Sequence, residues 1–235
     1  MGEKKKIIIA TVKSWNIANA EQFKEKYEKS YEVILLRTKD EFTVERVKGI
    51  HPDFIFFPHW NWIIPKEIHQ NYRCILFHMT DLPFGRGGSP LQNLIQNKVF
   101  ETKISAIEVA ERLDAGRVFL KERFYIGLGD AEEIFQKVSE VVFHKMIPKM
   151  IENNLIPHEQ EGEITMFRRR SPEESDLMRG NILNLEDLYN FIRMLDAEDY
   201  PRAFLKMGRL KMMFSEVHKR QGRVVGRFEV IDEEK

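Results

Sequence analysis

The sequence predicts an α/β protein, with a doubly wound, mostly parallel β-sheet over residues 1–160 and a small α+β extension over residues 161–235. Three observations carry this. Short apolar runs at 7–12, 31–37, 52–57 and 73–77 alternate with helical patterns, the rhythm of consecutive β-α-β units. The runs are apolar almost throughout, as strands covered on both faces are. From Glu163 onward the composition shifts to charged loops, one amphipathic helix and short strands.

In order, Ile7-Ile8-Ile9-Ala10 is a β-branched first strand. A loop of Lys13, Ser14, Trp15 and Asn16 precedes a helix from about 18 to 27. Lys13 above a strand end suits either a solvated loop or a phosphate contact. Trp15 suits either a core plug or a stacking surface. A second strand (31–37) and helix (42–49) lead to a strongly apolar third strand, which ends in Pro58-His59-Trp60-Asn61-Trp62-Ile63-Ile64-Pro65. Those aromatics either cover the sheet end or wall a pocket for a flat ring, and the two roles are compatible. A helix over 89–97 has Ser89 as cap, Pro90 at its first position and Leu91, Leu94 and Ile95 as its apolar stripe. Strands follow at 99–110 and 122–126. Asp130 caps a long helix that Pro148 bends or ends. In the extension, a helix runs from 184 or 185 to 195, and strands cover 203–207, 210–217 and 223–230. Residues 232–235 are expected to fray.

Lys and Arg number 37 and Asp and Glu number 37, so the formal charge is zero. A charge-driven grip on nucleic acid needs clustered cation excess, so a nucleic-acid partner is not expected. Cys74 is the lone cysteine, which excludes an internal disulfide. With no signal-like start, this suits a reducing cytoplasm. No apolar run approaches the roughly 20 residues that span a bilayer, so no membrane association is expected. No metal site is expected either. Met207, Leu210, Met212 and Phe214 are either a homodimer seam or the back of a small sheet.

The chemistry concentrates at 74–96, a buried strand that stops at His78 and is followed by Thr80, Asp81 and Arg86 in a Gly-rich loop. Ligands of open α/β sheets collect at such strand ends. This stretch resembles the signature of the folate-dependent formyltransferases (methionyl-tRNA, glycinamide ribonucleotide and amino-sugar types): Asn-x-His-x-Ser-Leu-Leu-Pro, a gap, Arg-Gly, then a helix-opening Pro. His78, Leu82, Pro83, Arg86, Gly87 and Pro90 match, and Thr80 stands where Ser is usual. Leu76 replaces the family's Asn. The segment Leu113-Asp114-Ala115-Gly116 resembles the family's second element, although Asp-x-Gly by itself is a common turn.

The resemblance implies a Rossmann-like formyltransferase fold with His78 and Asp114 catalytic. N10-formyltetrahydrofolate is the implied co-substrate, against Trp60, Asn61, Trp62, Ile63, Ile64, Arg112 and Leu113. The acceptor would lie against Lys13, Thr80, Arg86 and Gly87. Residues 169–173 and 199–204 resemble the tail of sugar-nucleotide N-formyltransferases. This implies a nucleotide-linked 4-amino-4,6-dideoxyhexose as acceptor, as in the pseudaminic acid pathway. Methionyl-tRNA or another small amine is the alternative acceptor. Arg168, Arg169 and Arg170 suit either a solvated face or a diphosphate. Leucine donates no hydrogen bond, so three outcomes are open: Asn61, Thr80 or a backbone N–H substitutes for the Asn, transfer runs slowly, or the chain is a silent folate- or nucleotide-binding homologue.

Overall fold

The computed structural model describes residues 4–233. Two compact units are present: Met1–Arg86, Lys103–Phe124 and Gln136–Met166 form the first, and Gly87–Thr102, Tyr125–Phe135 and Phe167–Lys235 the second.

The first unit is built on strands β1 (Lys5–Ala10), β2 (Tyr31–Leu36), β3 (Phe54–Phe57) and β4 (Cys74–His78). All four are mutually parallel, with helices α1 (Ser14–Tyr27), α2 (Val44–Ile50) and α3 (Lys66–His69) between them. Beyond β5 (Arg86–Gly87) and α4 (Pro90–Gln96), strands β6 (Glu101–Glu108) and β7 (Val118–Tyr125) complete the sheet in the order β2-β1-β3-β4-β6-β7. β6 runs antiparallel to β4. The fold is the α/β, mostly parallel sheet that the apolar runs predict.

Alternate residues of each strand are buried on opposite faces. Ile7, Ile9, Phe54, Phe56 and Ile75 pack with Ala20 and Phe23 of α1 and with Phe143, Met146 and Met150. Ile8, Ala10, Ile55, Phe57 and Cys74 pack with Val47 of α2 and Ile68 of α3. This double burial explains why the runs lack polar alternation. It also pushes the Cys74 thiol up to about 12, so the side chain behaves as a small hydrophobe.

Several expectations are corrected. Helix α1 starts at Ser14, so the expected 13–16 loop is largely helical; Trp15 and Asn16 are buried there, and core packing outweighs their weak helix propensity. β7 begins at Val118, four residues before expectation, because Val118 and Phe119 are buried. The long helix is α5 (Ala131–Val141), a π-helical turn (Val142–Met146) and α6 (Ile147–Glu152). Pro148 lacks an N–H and its ring crowds the carbonyl four residues back, and the wider turn just before it lets the helix continue.

In the second unit Ser89 stands at the start of α4 with φ +50° and makes no side-chain cap bond, contrary to expectation. Its Oγ instead accepts from the Arg170 N–H (3.1 Å) and the Tyr200 hydroxyl (3.3 Å). Asp130 does cap: its carboxylate accepts from the Glu133 N–H at 2.9 Å and Glu133 reaches back to the Asp130 N–H at 3.3 Å. The short strand β8 (Met166–Phe167) precedes α7 (Leu185–Arg193), which buries Phe191 and Ile192. Arg193 on α7 is also buried, donating to Asn190 and to the carbonyls of Ile126 and Gly129. Strands β9 (Phe204–Met207), β10 (Leu210–Arg220) and β11 (Arg223–Asp232) form a small antiparallel sheet. Of the expected frayed end, Asp232 closes β11 and the Glu233 N–H bonds the Arg209 carbonyl (3.0 Å); Glu234 and Lys235 lie outside the described residues. Among the described residues no helix is long and apolar enough to cross a membrane.

Phe56 is fully buried at the centre of the sheet. Phe56→Ala is expected to cost about 3–5 kcal/mol of unfolding free energy, read from urea titration. A loss under about 1 kcal/mol would contradict the packing described.

Candidate functional site

Strand order reverses between β1 and β3, since β1 leads to β2 on one side and β3 leads to β4 on the other. Open α/β sheets leave a crevice at that switch, outside the strands' carboxyl ends. Three predicted segments leave there. Lys13, nearly buried, follows β1. The 58–65 loop follows β3, with the Thr11 hydroxyl donating to the Pro58 carbonyl at 2.5 Å and the Trp15 and His59 rings edge to face at 6.1 Å. His78 ends β4.

His78 is buried, and its Nε2 lies 2.8 Å from the Gly85 carbonyl. A carbonyl only accepts, so that nitrogen carries hydrogen. The other ring nitrogen, Nδ1, faces the Asp114 carboxylate at 3.7 Å. This exceeds hydrogen-bond length, so the two buried groups face each other without a direct hydrogen bond between them. The two residues named from their motifs therefore meet. Thr80, fully buried, also donates to the Gly85 carbonyl (3.3 Å), and its own carbonyl accepts from Ser105 (2.7 Å). Thr80 is thus directed at its own loop.

Asp114 sits on a turn closed by the Ala115 N–H on the Arg112 carbonyl (3.2 Å), and its φ of +52° lies in the left-handed region. Asp tolerates that region better than most residues. Gly116 is obligatory two positions on, because a Cβ there would lie 1.8 Å from the Glu108 carbonyl oxygen. Arg86 donates from its Nε (3.1 Å) and Nη2 (2.8 Å) to the Gln160 side-chain oxygen Oε1. In the second unit, Gly87 has φ +107°, and a Cβ on it would meet the Phe167 carbonyl oxygen at 2.2 Å.

Of the residues assigned to the folate side, Trp60 packs against Phe42, Phe57 and Trp62. Its indole Nε1 is buried without a hydrogen-bond partner. Asn61 and Arg112 are exposed, Ile64 is half-buried, and Trp62 is 36% exposed. Ile63 and Leu113 are 96% and 65% exposed, unusually bare for large apolar side chains. The Lys66–Glu111 ion pair (3.1 Å) ties the two loops that carry them. Unpaired donor and bare apolar surface together fit a flat heteroaromatic ligand.

Leu76, two residues before His78 on the same strand face, packs with Leu82, Ile107 and Val118. No amide occupies that position. A surface groove along edge strand β2, lined by Lys4, Glu32, Ile34 and Arg37 among others, contains none of these side chains.

Other contributors carry no motif. Gly85 N–H donates to the Thr165 hydroxyl at 2.6 Å, and Gln160 reaches the Asp114 turn. Asp81 is clamped between Lys103 (2.8 Å) and Lys121 (2.5 Å). The polar character of the 78–86 loop was the signal available for Asp81; its lysines lie on distant strands.

These features define a doubly wound α/β protein with a buried His–Asp pair at its strand ends. A family model described as methionyl-tRNA formyltransferase, C-terminal domain, matches residues 172–231. The chain is 28% identical over 171 residues to a methionyl-tRNA formyltransferase of Campylobacter jejuni subsp. jejuni, covering 72% of this chain and 55% of that protein. It thus spans about half the length of such curated relatives. The solved structure of a methionyl-tRNA formyltransferase from Clostridium thermocellum is 50% identical with a TM-score of 0.94, over 97% of this chain and 99% of that one. HypX from Aquifex aeolicus in complex with tetrahydrofolic acid has a TM-score of 0.74 at 18% identity, over 92% and 38% of the two chains. A sugar N-formyltransferase from Shewanella sp has a TM-score of 0.70 at 15% identity, over 96% and 97%. These last two share the fold. The chain belongs to the formyltransferase family.

Burial alone would raise the Asp81 carboxyl, but hydrogen bonds and charge from Lys103 and Lys121 outweigh it and hold it below its ordinary value. A carboxyl that titrates lower folded than unfolded stabilises above its ordinary value, and that contribution is lost as pH falls through the folded one. Asp81→Asn is therefore expected to lower the melting temperature at pH 7, with the deficit shrinking toward about pH 3. Equal melting at pH 7 would remove the clamp from the account.

Proposed function

We propose that the chain transfers the formyl group of N10-formyltetrahydrofolate to a primary amine, with His78 and Asp114 as the catalytic pair. The supporting observation is that these buried side chains, thirty-six positions apart in sequence, face each other at 3.7 Å at the strand ends. The folate, when bound, supplies the formyl carbon and a leaving nitrogen. The amine attacks that carbon, the carbon–N10 bond breaks, and one proton passes in net from amine to N10. His78 Nδ1 receives the proton, and the facing Asp114 carboxylate stabilises the resulting imidazolium. Trp60, Asn61, Trp62, Ile63, Ile64, Arg112 and Leu113 line the folate side. Lys13, Arg86 and Gly87 serve the acceptor, and Thr80 acts through the loop it braces.

For the acceptor, we favour an amino sugar carried on a nucleotide, such as a 4-amino-4,6-dideoxyhexose. The balanced charge supports this, as does the fold likeness, over 96% of this chain, to a sugar N-formyltransferase. Methionyl-tRNA is the second reading, favoured by the 50%-identical relative and the family model over 172–231. The lone buried thiol fits a cytoplasmic setting. In the small sheet, Met207 lies opposite Leu210 and Met212 opposite Val230, an exposed apolar face that supports pairing of two copies.

The test is incubation with formyl-folate and either an amino-sugar nucleotide panel or charged methionyl-tRNA, with mass spectrometry reading a product heavier by one CO. His78→Ala and Asp114→Ala are each expected to lower turnover by at least about a hundredfold. Turnover surviving both changes rejects the pair as catalytic. Folate binding without turnover on any amine indicates a silent homologue, and formylated tRNA without formylated sugar reverses the acceptor assignment.

Leu76 shares the face of His78, so Leu76→Asn restores a hydrogen-bond donor beside the reacting carbon. A gain of about tenfold or more in kcat is expected, since one such donor can be worth about a hundredfold to a thousandfold. A folded variant with no gain means that position does not meet the oxyanion.

A further inference from the structure

We propose that Gln160 is a positioning residue: its carboxamide ties the Asp114 turn to the loop carrying His78 and sets the approach of the two side chains. The inference rests on the catalytic roles proposed above for those residues. Gln160 donates both amide hydrogens, one to the Asp114 carbonyl and one to the Gly116 carbonyl, each at 2.8 Å. Its oxygen accepts twice from Arg86. All four hydrogen-bonding positions of a primary amide are thereby used, and in one orientation only: turning the group over would set its NH2 against a guanidinium and its oxygen against two carbonyls.

The segment bearing Gln160 is fixed on both sides. The N–H groups of His158 and Val118 donate to each other's carbonyl (3.0 and 2.7 Å), and the His158 ring Nδ1 lies 2.6 Å from the same Val118 oxygen. Farther along, the Thr165 hydroxyl accepts from the Gly85 N–H and the Thr165 carbonyl accepts from the Arg86 N–H (3.0 Å). Residues 158–165 therefore form a strap from the start of β7 to the Gly85 loop. Gly85 is also the residue whose carbonyl orients His78. The strap bears on both halves of the pair, and at Gln160 one side chain joins them. Asp114 holds a left-handed φ while buried, and its backbone carbonyl is anchored from outside the turn by this amide.

Three substitutions separate the roles. Gln160→Met keeps length and apolar bulk without hydrogen bonds, Gln160→Glu keeps an acceptor for Arg86 but has no donor for the two carbonyls, and Gln160→Ala removes everything beyond Cβ. All three are expected to lose about ten- to a hundredfold in kcat, the scale of a displacement near 1 Å. The KM for formyl-folate should stay within about twofold. Combined with Asp114→Ala, Gln160→Ala should cost clearly less than it does alone, because part of its effect runs through that carboxylate. Hydrogen exchange at 112–117 should quicken in Gln160→Ala while β1 and β3 keep their protection. Wild-type kcat in Gln160→Met, a KM rise matching the kcat loss, additive losses in the double variant, or unchanged exchange at 112–117 would each overturn the proposal. Should the unaltered protein turn over no acceptor, the transferase reading fails by itself, and exchange at 112–117 still decides whether Gln160 holds the turn.

Discussion

A buried imidazole and a buried carboxylate 3.7 Å apart are the constraint around which the first unit is arranged. Removing either group from water is costly, and neither alone gains enough from the other to fix a pair of loops. The geometry must be supplied by the surroundings. Here the sheet supplies the coarse part: β4 delivers His78 to a carboxyl-terminal edge, and its pairing with β3 brings the 58–65 loop to the same edge. Main-chain groups supply the fine part, with the Gly85 carbonyl taking both the imidazole N–H and the Thr80 hydroxyl. A side chain bonded to its own loop moves only when that loop moves.

That loop is braced on several sides. Asp81 is held by lysines from β6 and β7, and Ser105 of β6 donates to the Thr80 carbonyl. Ser105 is also the register partner of His78 across the β4–β6 pair. Ser105 therefore braces the loop from the neighbouring strand. Charged and neutral bonds are mixed here for a physical reason. The lysine clamp lies where water still screens it and adds modestly, whereas the Ser105 and Gly85 bonds are buried, where losing one partner leaves a polar atom unsatisfied.

Much of this arrangement was legible in the residue order. The parallel strands announced themselves through their apolar cores, residues 7–10, 54–57 and 74–77, which are covered on both faces, while edge strand β2 carries an exposed Glu32. His78 and Asp114 were legible through two short motifs, each weak alone. Element ends were less so. Trp15 and Asn16 read as a loop because neither is a strong helix former, and only burial draws the helix back to Ser14. Ser89 has the composition of a cap, yet its hydroxyl serves Arg170 and Tyr200, eighty or more residues away in sequence. Gln160 gave no signal at all: a glutamine between acidic residues looks like any solvated amide, and its four bonds reach residues 44 to 74 positions distant. Local pattern reports strand faces and caps well, but a hydrogen-bond bridge across two loops has no period.

Leu76 shows how far this separation between sheet and loops extends. The side chain is the natural continuation of its strand, packed with Leu82, Ile107 and Val118, and it strengthens the apolar floor under the pair. An asparagine there would place an amide among those same groups, where it needs a partner of its own or a ligand oxygen to avoid the cost of unpaired burial. A chain with leucine there avoids that cost while giving up one fixed donor. What the loops hold at this strand end is the imidazole oriented by Gly85, while the N–H groups of Phe84, Gly85 and Arg86 are taken up by Asp81 and Thr165. Any formyl transfer here must therefore depend more on loop geometry than it would with the amide in place, and that geometry runs through Gly85, Thr165 and Gln160.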